Sequence, residues 1–145
     1  MRYSNAHEAI RELKLEPLAG EGGYFATAHR DEFGNAIYFL MTSESYSAWH
    51  KLSERETWVF LDGSPVELFT RTSSGELNKA ILHQTTGQFE RSIEPETWMA
   101  ARSLGEYSLV LCFLAPPFSQ MTLLPREEFT SWKANDPTIP ELLND

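Results

Sequence analysis

Trp49-His50-Lys51-Leu52-Ser53-Glu54-Arg55-Glu56-Thr57-Trp58-Val59-Phe60-Leu61-Asp62-Gly63 reads as two short strands joined by a charged turn. Side chains alternate between the two faces of a pleated strand, so each orientation fixes a set of residues. If His50 faces inward, Tyr46, Ala48 and Leu52 do too. If Glu56 faces inward, Trp58 and Phe60 join it, and an aromatic wall stands beside a carboxylate. A buried carboxylate is costly unless it is paired or hydrogen-bonded. Spacing alone fits equally well an exposed Glu56 in the turn and a His50 that is merely satisfied in the core.

Outward from this hairpin the pattern repeats. Short runs rich in β-branched and aromatic residues occupy 24–29, 36–42, 45–52, 57–61 and 66–72, then 76–83, 89–93, 97–102, 107–115 and 121–124. The breaks between them carry turn chemistry, as in Asp62-Gly63-Ser64-Pro65 and Ser73-Ser74-Gly75. Strands at this spacing, with no room for crossover helices, predict an all-β sandwich, barrel or jelly roll with its core over about 20–125. Two short helices flank it. Ala6, Ala9, Ile10 and Leu13 recur at helical spacing over 4–14, with Asn5 and Glu8 as a cap. Pro125 suits the start of a helix over 126–133 that buries Phe129 and Trp132, and 140–143 adds a further turn. Gly22 and Gly23 predict a close backbone approach before the strand at Tyr24.

Composition bounds the function. The 145 residues suit one domain, 1–145, and the hydrophobic content of 41% suits a folded core. A net charge of -9, with basic residues scattered, argues against nucleic acid and anionic membranes as partners. No apolar run approaches the ~20 residues that span a bilayer, and no signal peptide opens the chain, so a cytoplasmic location is expected. Cys112 is the only cysteine; it lies in an apolar strand and reads as a buried, inert thiol.

The motifs resemble those of cupins, whose first motif is G-x5-H-x-H-x3,4-E-x6-G. His50, Glu56 and Gly63 match it, whereas Leu52 stands at the second histidine and Glu44 at the opening glycine. In the second motif Pro95 fits, Thr97 replaces a glycine, and Ala100 falls where a third metal histidine would stand. The chain further resembles a small uncharacterised cupin family close to the sugar 3,5-epimerase-like cupins. The blocks that carry this likeness are Glu21–Phe25, Ala36–Met41, Ser47–Gly63, Gly87–Arg102 and Cys112–Phe118, in order over roughly residues 7 to 125. Met41 and Pro117 depart from its usual residues. The resemblance implies a double-stranded β-helix, a small-molecule cavity and a homodimer.

Three functions follow from these residues. A metal-dependent cupin needs three or four ligands, and His50 and Glu56 supply two; His29 and His83 stand off the motif positions, so no metal and no cofactor are expected. By resemblance to the epimerases, a metal-free enzyme would use His50 as base, oriented by Glu56, with Arg102 holding an anionic or carbonyl group and Tyr24 or Tyr38 as the acid. A binding module would instead stack a planar or sugar-like ligand on Trp58, Phe60 and Trp98. Each of these rings also fits plain core filling, and Arg102 a surface salt bridge. The last two readings share a site and differ in turnover.

Overall fold

The computed structural model describes Met1–Asn144. Helix α1 (Ala6–Glu12) leads into eleven strands: β1 (Glu16–Pro17), β2 (Tyr24–Arg30), β3 (Asn35–Thr42), β4 (Ser47–Leu52), β5 (Glu56–Gly63), β6 (Val66–Arg71), β7 (Leu77–Leu82), β8 (Glu90–Ile93), β9 (Trp98–Ser103), β10 (Tyr107–Leu114) and β11 (Met121–Leu123). Helix α2 (Arg126–Asn135) follows. The strands form two antiparallel sheets, ordered β1-β2-β3-β10-β5-β8 and β11-β4-β9-β6-β7. This is the expected double-stranded β-helix with short terminal helices. Among the described residues no helix is long and apolar enough to cross a membrane.

Strand alternation distributes the apolar residues over three layers. Phe39, Met41, Trp58, Leu68, Met99 and Val110 point between the sheets and make the central core. The opposite face of the six-stranded sheet presents Leu40, Tyr107 and Leu109 to Ala9 of α1 and to Leu15. The opposite face of the five-stranded sheet presents Trp49, Phe69 and Ala100 to Phe129 and Trp132 of α2. Both sheets are thus covered on their outer faces, which is why residues on either side of a strand are apolar and the simple in–out pattern is blurred.

The N-terminal cap forms as expected: the Glu8 amide donates to Asn5 Oδ1 at 2.9 Å, and the Glu8 carboxylate accepts from the Ser4 amide. One expected element is absent. Residues 140–143 form no helical turn but lie against β4, where the Trp49 amide donates to Leu142 O and Trp49 Nε1 to Pro140 O. These bonds satisfy backbone groups that a helical turn would have satisfied internally.

Candidate active site

A cavity of about 250 Å³ opens at one end between the sheets. Its polar wall comes from Glu21, His50 and Glu56, with Arg30 and Asn35 also lining it. Its apolar wall includes Phe25, Ile37, Leu52, Leu114, Phe118 and Met121. His50 is 1% exposed and Glu56 6%.

His50 reaches the cavity through an irregularity. In β4, Ser47 pairs with Ala101 and His50 with Met99, so three steps on one strand oppose two on the other. This bulge brings both Ser47 and His50 to the inner face and turns Trp49 outward. Tyr46, expected inward, packs instead in the outer cluster and donates its hydroxyl to Leu143 O. The His50 ring is held by Nδ1, which lies 2.7 Å from the Ala48 carbonyl. A carbonyl only accepts, so Nδ1 carries a proton, and Nε2 is the atom left to take one.

Nε2 faces Glu21 Oε1 at 3.7 Å, beyond hydrogen-bond length but within ion-pair range. Glu21 in turn accepts from Ser47 Oγ at 2.6 Å. Its loop is fixed from two sides. The Ala48 amide and Asn144 Nδ2 both donate to the Glu21 carbonyl, at 2.8 and 2.7 Å. The next residue, Gly22, has φ +96°, and a Cβ there would run into the Tyr46 carbonyl, so the expected close approach is real.

Glu56 opens β5 and faces inward beside Trp58, whose Nε1 donates to its Oε1 at 2.9 Å. Burial pushes the Glu56 carboxyl up to about 8, the negative charge of Glu21 adds to the rise, and the Trp58 bond opposes it. At neutral pH Glu56 is therefore a buried proton donor lining the same cavity as a buried imidazole. Cys112 lies nearby; burial first, then Glu56 and Glu21, raise its thiol well above the usual value, so it is no nucleophile.

Other residues singled out in the sequence lie elsewhere. Tyr24 and Tyr38 point to the outer cluster around α1, because their inward-facing neighbours are Phe25, Ile37 and Phe39. Arg102 lies on the outer face of β9, bonded through Nε to Glu67 Oε1 at 2.7 Å and resting over the Phe69 ring. Trp98 shares that face, edge-on to Trp132 and beneath Lys51. None of these four lines the cavity. Trp58 reaches it only through Glu56, and Phe60 packs edge-on against the His83 ring outside its lining. His29 is exposed and paired with Asp31.

Glu21, Arg30 and Asn35 received no role from the sequence. Glu21 was visible only as the head of its block. Arg30 reaches the cavity through a second bulge: Thr27 pairs with Ile37, but His29 pairs with Ala36 and Arg30 with Asn35. Without the extra residue, alternation from Phe25 and Thr27 would have brought His29 inward.

The residues present do not fit a metal centre. Leu52 gives the cavity a hydrocarbon where a second histidine would stand, and Ala100 packs outward in the α2 cluster. Among the described residues no three His, Cys, Asp or Glu side chains are grouped to hold an ion.

The family model for the Cupin superfamily known as Cupin_5 (DUF985) matches residues 7–124. The chain belongs to this cupin family. Among solved structures, this cupin is similar to protein SO0799 from Shewanella oneidensis, at 24% identity and TM-score 0.88 over 98% of this chain and 99% of that one. A hypothetical protein from Leishmania major matches at 21% identity and TM-score 0.79, over 93% of this chain and 96% of that one. Lactobacillus farciminis oxalate decarboxylase matches at 14% and 0.63, over 90% of this chain and 44% of that one. At these identities the likeness is one of fold. No curated protein matches the sequence.

Proposed function

We propose that this cupin is a metal-independent acid–base enzyme of the isomerase or epimerase type, acting on a small, sugar-sized carbonyl compound. The observation that supports it most is the placing of one proton acceptor and one proton donor in a single cavity. His50 Nε2 is the acceptor, set by the Nδ1 bond to Ala48 O, and protonated Glu56 is the donor. Nε2 takes the proton from the carbon next to the carbonyl, the C–H electron pair moves into the new C=C bond, and the carbonyl oxygen takes the Glu56 proton. His50 then returns its proton to the neighbouring carbon while Glu56 recovers one from the hydroxyl there, which completes an isomerisation with no change of oxidation state. An epimerisation follows when the enol turns over in the cavity and takes the same proton back on its other face, Glu56 recovering its own from the enol oxygen. Glu21, within ion-pair range of Nε2, stabilises the imidazolium formed midway. Glu56 takes the acid role that Tyr24 and Tyr38, facing away, leave open.

A second reading, capture of a ligand without turnover, is favoured by the hydrocarbon that makes up much of the wall: Leu18, Phe25, Ile37, Leu114, Phe118 and Met121. One experiment separates the two. Chelator-treated protein is incubated in D2O with a panel of aldoses, ketoses and hydroxy- and oxo-acids, and carbon-bound deuterium is followed by NMR. The enzyme reading expects incorporation into at least one compound and its loss in His50→Ala. A compound that raises the melting temperature but exchanges no proton establishes capture instead.

A further inference from the structure

We propose that the cavity selects a small monocarboxylate, held with its carboxylate at the mouth by Arg30 and Asn35 and its neutral carbonyl or hydroxyl end at His50 and Glu56. The inference deepens the acid–base reading of the same cavity and takes the ligand's direction from it.

Arg30 is the only permanently charged cation among the residues lining the cavity. It is there because of the β2 bulge, which sets it directly across from Asn35 on the inner face. One guanidinium nitrogen, Nη2, donates to the Phe118 carbonyl at 3.0 Å, and Asn35 Oδ1 accepts from the Phe118 amide at 2.6 Å. Both side chains are thereby anchored to the backbone of one residue, Phe118, at the rim. Arg30 is exposed, yet among the described residues it makes no ion pair. The Asn35 side-chain nitrogen donates to no described residue, although Asn35 is buried. An anchored guanidinium with donors to spare beside an amide N–H2 is a carboxylate receptor.

The inner end excludes the opposite direction. Glu21 stands against His50 there and Glu56 lines the same cavity, so a carboxylate placed among them meets acceptors and like charge. A neutral oxygen fits, because it accepts from protonated Glu56. Between the two ends lie Phe25, Ile37 and Phe118, which suit a short aliphatic or aromatic body. A net charge of -9 disfavours polyanions, and one cation at the mouth offsets a single negative charge.

The test compares matched pairs. Dissociation constants are measured by NMR titration for 4-hydroxyphenylacetate, 3-(4-hydroxyphenyl)propanoate, 5-oxohexanoate and 6-hydroxyhexanoate, each beside its primary amide. Wild-type protein is expected to prefer acid to amide by roughly tenfold or more. Arg30→Gln should abolish that preference, and Arg30→Lys should keep part of it; a wild-type-like amide spectrum confirms that each variant is folded. Equal binding of acid and amide, a preference that survives Arg30→Gln, or no binding by any pair at millimolar concentration overturns the proposal. The two readings fail separately. A surviving preference alongside His50-dependent exchange removes only the carboxylate site. An Arg30-dependent preference without exchange removes only the enzyme.

Discussion

Glu56 owes its chemistry to one position on a strand. Moved into the preceding turn it would be a solvated carboxylate; as the first residue of β5 it is buried with its proton on. The sequence identified the residue and its aromatic neighbours but left its direction open, because Glu56 lies at the boundary between turn and strand. Its burial has a thermodynamic consequence. The unfolded chain loses the Glu56 proton near its ordinary value of 4.5, whereas the folded chain keeps it to about 8. Between those values unfolding releases a proton, so rising pH favours the unfolded state, by up to about 1.4 kcal/mol per pH unit from this group. Glu56→Gln removes that slope: denaturant unfolding between pH 5 and 8 should show wild-type stability falling relative to the variant. A constant difference between the two proteins across this range would mean that Glu56 is not buried as a neutral acid.

At the scale of elements, the strands follow from alternation and turn residues, and their ends fall within a few positions of those expected. Two features do not, and both make the site. The bulges in β2 and β4 are set by pairing with β3 and β9, and no residue type in 27–29 or 47–50 announces an extra position. They decide that Arg30 rather than His29, and Ser47 rather than Tyr46, reach the inner face. The tail is the other case. Helix α2 buries Phe129 and Trp132 as expected, but residues 140–144 run on as a strap over Trp49 to the Glu21 carbonyl. Trp132 is the keystone of this layer, edge-on to Trp49 at 5.4 Å and to Trp98 at 5.7 Å, with the Arg71 guanidinium 4.3 Å from its ring centre. Trp132→Ala should cost about 3–5 kcal/mol in denaturant unfolding. A loss below about 1 kcal/mol would show that α2 is not integral to the fold.

Across the whole molecule, the two sheets do what no single strand can: they keep water from one end of a cavity while leaving the other open. Covering both outer faces with terminal helices and the tail makes the sheets rigid enough to hold His50 by one nitrogen and a proton on Glu56. The family was readable from five blocks of residues, because each block packs against another and their order records the winding of the barrel. The site was readable only at His50 and Glu56. Arg102, Trp98, Tyr24 and Tyr38 belong to the same blocks but serve the outer layers. The charge state of Glu56 is the product of the whole enclosure, and it can be read directly. With 13C-labelled glutamate, the Glu56 carboxyl resonance, assigned through Glu56→Gln, is followed against pH. A buried neutral Glu56 gives a midpoint near 8, whereas a midpoint in the ordinary range near 4.5 would mean that the enclosure does not hold the proton.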